Sequence, residues 1–130
     1  MAGETNLKEL LKTMRPKLNE GDYVFCTVPT SRKIDPVNII GSFKEDEGLT
    51  IILEKDIADS LNLSYTYVAA WITLTVHSSL EAVGLTAAFS TALAKKGISC
   101  NVIAGYYHDH IFVAKEDAAN AIQVLERLSC

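Results

Sequence analysis

The chain has 130 residues, 48% apolar and 22% charged, with only 3 Pro and 7 Gly, which excludes disorder and low complexity. That is the length of one ordinary domain or two small ones sharing a core, and it needs no disulfide or metal staple. A net charge of −4 lacks the basic face that a nucleic-acid backbone binder requires. The three cysteines, Cys26, Cys100 and Cys130, are odd in number and share no close spacing, so they read as reduced thiols of a cytoplasmic protein. The first residues lack the basic and apolar regions of a signal peptide. The longest apolar run, Val68 to Ile72, falls far short of the roughly 20 residues that span a bilayer. A soluble protein without membrane or nucleic-acid partners is the expectation.

Leu7, Leu10, Leu11 and Met14 recur at i, i+3, i+4 and i+7 and predict a helix. Asn6 and Glu9 have capping-box spacing at its start, and Pro16 stops it. Gly21-Asp22 turns into a strand over Tyr23–Val28. Thr30–Lys33 reads as a loop and Asp35-Pro36 as a turn start, followed by a short strand within Asn38–Phe43 and a charged turn over Lys44–Gly48. Leu49–Leu53 predicts a buried strand, and Asp56–Leu61 a short helix. Val68–Val76 alternates with a strict period of two, the cleanest strand signal in the chain. A loop from His77 to Gly84 leads into a helix carrying Leu85, Ala88, Phe89, Ala92 and Leu93, which ends at Lys95-Lys96-Gly97. Cys100–Tyr106 and His110–Ala114 predict a hairpin around Tyr107-His108-Asp109, and a last helix runs from Asp117 to Leu128.

Ile51–Ala58 and Phe112–Ala119 align as a weak internal repeat, each a strand followed by a helix start. Each half lacks one outer strand of a complete β-α-β-β-α-β unit. Residues 65–76 are therefore expected to supply an edge to both halves, unless a second chain completes them.

Two clusters carry candidate chemistry. A glycine just before a helix start, here Gly84, lets backbone amides turn toward a ligand, and a helix N-terminus suits a carboxylate or phosphate. Glu81 beside it can pair with a ligand ammonium group. The same residues also read as a plain tight turn with a solvated acid, the more ordinary case. The second cluster, Tyr106-Tyr107-His108-Asp109-His110, holds side chains that bind metals, and His77 can join them. In a strand, however, His108 and His110 share a face while Asp109 points away from both. Trp71 reads as core or interface packing.

The segment His77-Ser-Ser-Leu-Glu-Ala-Val-Gly-Leu-Thr-Ala-Ala, with Gly97-Ile-Ser-Cys-Asn-Val-Ile-Ala-Gly-Tyr-Tyr-His-Asp-His-Ile-Phe-Val, resembles a bacterial family of small ACT-domain proteins. Tyr23-Val-Phe-Cys-Thr-Val and Glu47-Gly-Leu-Thr-Ile-Ile-Leu look like the amino-terminal ACT-like half of the same family. A more distant likeness runs to the ACT domains of aspartate kinases and of a cytosolic arginine sensor. The resemblance implies an α+β, ferredoxin-like β-α-β-β-α-β sandwich in two ACT-like halves, 1–64 and 65–130, with antiparallel sheets and helices on one face. It implies a non-enzymatic regulatory module that needs no cofactor or metal and binds a free amino acid or similar zwitterion at a domain or subunit interface. A homodimer or higher homo-oligomer is implied with it.

Carried over by position, the ligand-binding residues are Ser79, Ala82, Val83, Gly84, Leu85 and Thr86 in the strand-to-helix loop, with Gly105, Tyr106 and Asp109 in the hairpin. Amides around Val83–Leu85 would take the carboxylate, and Asp109 with carbonyls near Ser79 and Gly105 the ammonium. Gly84→Val is expected to abolish binding with the fold near intact. Two other readings stay open: a metal-dependent enzyme using His77, His108, His110 and Asp109, and a purely structural oligomerisation module.

Overall fold

Asn6 opens the first helix by accepting a hydrogen bond from the Glu9 amide at 3.3 Å on its Oδ1, and Leu10 and Met14 are fully buried on the face the spacing predicts. A computed structural model of the chain describes residues 6–76 and 83–129. In chain order the elements are α1 (Leu7–Thr13), β1 (Pro16–Leu18), β2 (Tyr23–Val28), β3 (Gly41–Glu45), β4 (Gly48–Glu54), α2 (Lys55–Ser60), β5 (Val68–Leu74), α3 (Leu85–Lys95), β6 (Asn101–Ala104), β7 (Asp109–Ala114) and α4 (Ala118–Arg127). Short 3-10 turns occupy Pro36–Asn38 and Lys115–Asp117.

The chain forms two compact units, one of residues 20–69 and one of residues 1–19 with 70–130. The sequence expectation divided the chain at 64/65. Residues 1–19 go with the later unit because Leu10 and Met14 share its core with Phe89, Ile111 and Leu125.

In the unit of residues 20–69, β2 pairs antiparallel with β4 from Tyr23↔Glu54 to Val28↔Leu49. β3 continues outward from β4 as a hairpin partner, and Val68 and Ala69 at the start of β5 pair with Val24 and Tyr23 on the other side of β2. Alternate residues Val24, Cys26 and Val28 pack with Ile51, Leu53 and Ala58, as period-two burial dictates. No helix stands between β2 and β3. The chain there is irregular except for the Pro36–Asn38 turn, where Asp35 Oδ1 accepts from the Val37 amide at 3.1 Å.

In the other unit the strand order is β1-β5-β7-β6. β1 pairs with β5 from Pro16↔Leu74 to Leu18↔Ile72, and β6 pairs with β7 from Asn101↔Phe112 to Ala104↔Asp109. This is the ferredoxin-like arrangement, with β5, α3, β6, β7 and α4 in sequence and the last strand position taken by β1. Strand β5 is an outer strand for residues 20–69, as expected, but within its own unit it lies inside, between β1 and β7. Its residues Ala69, Ala70, Ile72, Leu74 and Thr73 are all buried, on both faces, as an interior strand requires. Phe89 and Leu93 of α3, Ala121 and Leu125 of α4, and Ile111 and Val113 of β7 close the core over one face.

Candidate ligand-binding site

Strand β5 exits and β7 enters in one neighbourhood. His108 Nδ1 lies 3.4 Å from the carbonyl oxygen of Val76, which sets the hairpin turn beside the end of β5. Gly84 caps α3 with φ +97 and ψ −16, a left-handed conformation that a Cβ makes costly. Its carbonyl accepts from Ala88 N at 2.9 Å, the first bond of the helix. No carbonyl among the described residues accepts from the amides of Leu85, Thr86 or Ala87. First-turn amides without a helical acceptor, together with the positive end of the helix dipole, attract an anion as a rule. Leu85 is buried and anchors the helix start, whereas Val83 and Thr86 are exposed. Ser79, Ala82 and His77 lie outside the described residues.

The hairpin turn spans Gly105–His108, closed by the Gly105 amide donating to the His108 carbonyl at 2.9 Å. Tyr106 and Tyr107 occupy its tip, exposed, with their rings edge to face at 5.0 Å. A Cβ on Gly105 would come within 2.9 Å of the His108 carbonyl oxygen and 3.2 Å of His110 Nε2, so only glycine fits. The sequence placed the turn around Tyr107-His108-Asp109. The turn lies earlier, and Asp109 is the first residue of β7, only 9% exposed. By alternation it shares a face with Ile111 and Val113, the face that α3 covers. No described residue donates a hydrogen bond to its carboxyl. Burial pushes its pKa above the usual carboxylate range, against the opposing pull of His110 and His108.

On the opposite face lies a network that sequence reasoning missed. Trp71 Nε1–H donates to His110 Nδ1 at 3.1 Å, and the Thr73 hydroxyl sits 3.1 Å from the same nitrogen. Asn19 Nδ2 donates to Thr73 Oγ1 at 3.0 Å and to the Trp71 carbonyl at 3.2 Å. The Trp71 ring also stacks on Phe112 at 6.1 Å. An indole N–H only donates, so His110 Nδ1 carries no proton and the neutral ring holds it on Nε2. Burial, then the nearby His108, lowers its pKa. The signal was present in the shared parity of Trp71 and Thr73, yet their pairing with a histidine 39 and 37 residues away leaves no mark in the sequence.

The sign of the pH effect follows. A histidine held below its unfolded value contributes stability that is present above about pH 6.5 and lost as the pH falls through the folded pKa. Trp71→Phe removes a donor that favours the neutral ring, so the His110 pKa is expected to rise toward its ordinary value. An NMR titration of the ring protons reads this directly. An unmoved titration curve would mean that the indole bond has no influence on the ring.

Among the described residues no three of His, Cys, Asp and Glu are placed to hold one metal ion. None of their helices is long and apolar enough to cross a membrane.

Two ACT-domain family models match the sequence, one over residues 2–70 and one over residues 67–127. The chain belongs to the ACT-domain family. ACT domains are typically regulatory rather than catalytic modules that bind small molecules, amino acids among them. The structure is similar to that of VC0802 from Vibrio cholerae, a protein of unknown function titled a possible transport protein. The two share 51% identity at a TM-score of 0.82, with 95% of this chain and 96% of that one covered. It is similar in fold to Atu0741 from Agrobacterium tumefaciens, at 18% identity and TM-score 0.67 over 89% of each chain. It is likewise similar in fold to the ligand-free regulatory subunit of aspartate kinase from Thermus thermophilus, at 10% identity and TM-score 0.65 over 91% of this chain and 97% of that one. No curated protein matches the sequence.

Proposed function

We propose that this ACT protein is a non-enzymatic cytoplasmic module that binds a free amino acid where α3 begins. The first-turn amides of Leu85, Thr86 and Ala87 would hold the ligand carboxylate. The Asp109 carboxylate, with backbone carbonyls near Gly105, would hold the ammonium. One observation carries the reading: a nearly buried carboxyl without a described donor lies at the end of the sheet where β5 leads toward α3. Burial disfavours the charged form of such a group in the free protein, and a ligand ammonium would offset that. Three or four charge-assisted bonds of about 1.5–3 kcal/mol each suffice for micromolar affinity after association costs.

The two halves are not equivalent for this purpose. The stretch between β2 and β3 has only the three-residue turn Pro36–Asn38 where the later unit has α3. That supports one amino acid per chain. A thermal-shift screen of the twenty amino acids tests the class: at 100 times its dissociation constant the ligand stabilises by about 2.7 kcal/mol. For a chain of this size that is a rise of roughly 8–10 °C. A flat response to all twenty overturns the reading.

Strand β6 supports a homo-oligomer. Its four residues are exposed, its outer side pairs with no described strand, and Asn-Val-Ile-Ala contains no charge or proline. The other outer strand, β3, carries Lys44 and Glu45, the usual protection of an edge. Ile103→Lys is therefore expected to convert the oligomer to a monomer in light scattering, with the melting temperature of the chain little changed. An unaltered mass would assign the interface elsewhere.

A further inference from the structure

We infer that the helix face of the unit built from residues 1–19 and 70–130 holds a second site, for a single-chain amphipathic carboxylate. A cleft of about 690 Å³ runs between α1, α3 and α4, within the size range of small-molecule sites. Its walls are apolar and mostly small: Leu7, Ala88 and Ala92 on one side, Val124 and Leu128 on the other. Lys95, Lys96 and Arg127 gather at one end. A second cleft of about 240 Å³ shares Lys96, Val124 and Arg127 with the first and adds the side-chain amides of Asn120 and Gln123. An apolar trough thus opens into a cationic, amide-lined recess.

Among the described residues the charge has no ion-pair partner. The ion pairs of the described residues, Lys12–Glu9 and Lys55–Asp59, involve none of the three cations, and no described residue lining either cleft is acidic. Lys95 and Lys96 do complement the C-terminal end of α3, and Arg127 that of α4. Two helix ends account for about one negative charge in total, so three full positive charges leave an excess of about two. That excess disfavours a second copy laid antiparallel with α3 on α3, which would bring these cations onto the positive N-terminal end of the partner helix. It favours an anion with an apolar tail. From Gly84 to Lys96 the helix rises about 18 Å, which accommodates a chain of about ten carbons with its head group at the cations. The cleft reaches Gly84 and Ala87 at the start of α3, but its cationic end lies at the other end of the helix and its ligand class differs, so neither proposal depends on the other.

Calorimetric titration with decanoate, decanol and acetate tests it on the full-length protein. Decanoate is expected to bind saturably at one site below its micellar concentration, octanoate about tenfold more weakly for the two methylenes lost, and acetate not at all. Lys96→Gln with Arg127→Gln, both exposed positions, should weaken decanoate at least tenfold and leave decanol unchanged. Thr91→Trp, at an exposed position on the cleft wall, should block both chains. Absence of saturable decanoate binding overturns the proposal. So does an equal response to decanol and decanoate, or binding that Thr91→Trp leaves intact. Capture by phosphatidylglycerol vesicles without binding of free decanoate would mean a membrane-surface patch and would also overturn it.

Discussion

Asp109→Asn is expected to raise the melting temperature of the free protein by about 3–5 °C and to weaken amino-acid binding ten- to hundredfold. The two effects have opposite signs because one carboxylate causes both. In the free protein Asp109 is 9% exposed and its pKa is raised by burial, so its charged form is less stable folded than unfolded. An acid with a raised folded pKa contributes most to stability at low pH, and that contribution is lost as the pH rises from the unfolded value through the folded one. At neutral pH the charge is a cost, and the neutral isostere removes about 1 kcal/mol of it. The lost partner for a ligand ammonium is a charge-assisted bond of about 1.5–3 kcal/mol. Melting curves between pH 3 and 8 with and without the responsive amino acid separate the terms. A structural role alone would lower stability and spare affinity. An unchanged affinity would remove Asp109 from the site.

Most of the architecture was legible because it rests on short-range periodicity. Leu10 and Met14 keep their helix face, β2 spans the predicted residues Tyr23–Val28, and α3 ends at Lys95 just before Lys96-Gly97. The repeat between Ile51–Ala58 and Phe112–Ala119 marks two real strand-to-helix junctions, β4 into α2 and β7 into the Lys115–Asp117 turn and α4. What could not be read was pairing at long range. Nothing local says that Pro16–Leu18, after a helix-stopping proline, forms a strand against residues 72–74. The hairpin turn was placed too late because aspartate commonly occupies turns. The close approach of Gly105 to the His108 carbonyl sets the turn earlier and sends Asp109 into the strand. That correction strengthens the candidate site, since a buried carboxyl answers an ammonium better than one at an exposed turn.

The regulatory reading also gives the asymmetry of the two units a physical meaning. Both have strands in the same succession, yet only one follows its central strand with an eleven-residue helix, α3. A three-residue turn has no dipole to speak of and spends its amides on its own cap, as Asp35 does for Val37. The first unit supplies sheet and core without a comparable anion site.

Gly84→Val is expected to abolish amino-acid binding, but not with the fold near intact. At φ +97 a β-branched residue is strained by about 2 kcal/mol or more. Its Cβ would also stand 3.1 Å from Leu7 Cδ2. Loss of binding by the valine variant alone would thus confuse a blocked site with a loosened helix start. Gly84→Asn resolves the two. Asparagine tolerates the left-handed region, and the flexible Leu7 tip can yield the few tenths of an ångström that a Cβ requires. Its melting temperature should fall by only a few degrees, while its side chain can itself accept from the amides of Thr86 or Ala87, as a capping residue does. Binding of the responsive amino acid should then fall at least tenfold in calorimetry. Wild-type affinity in a folded Gly84→Asn protein would show that the ligand, if there is one, does not reach the first turn of α3.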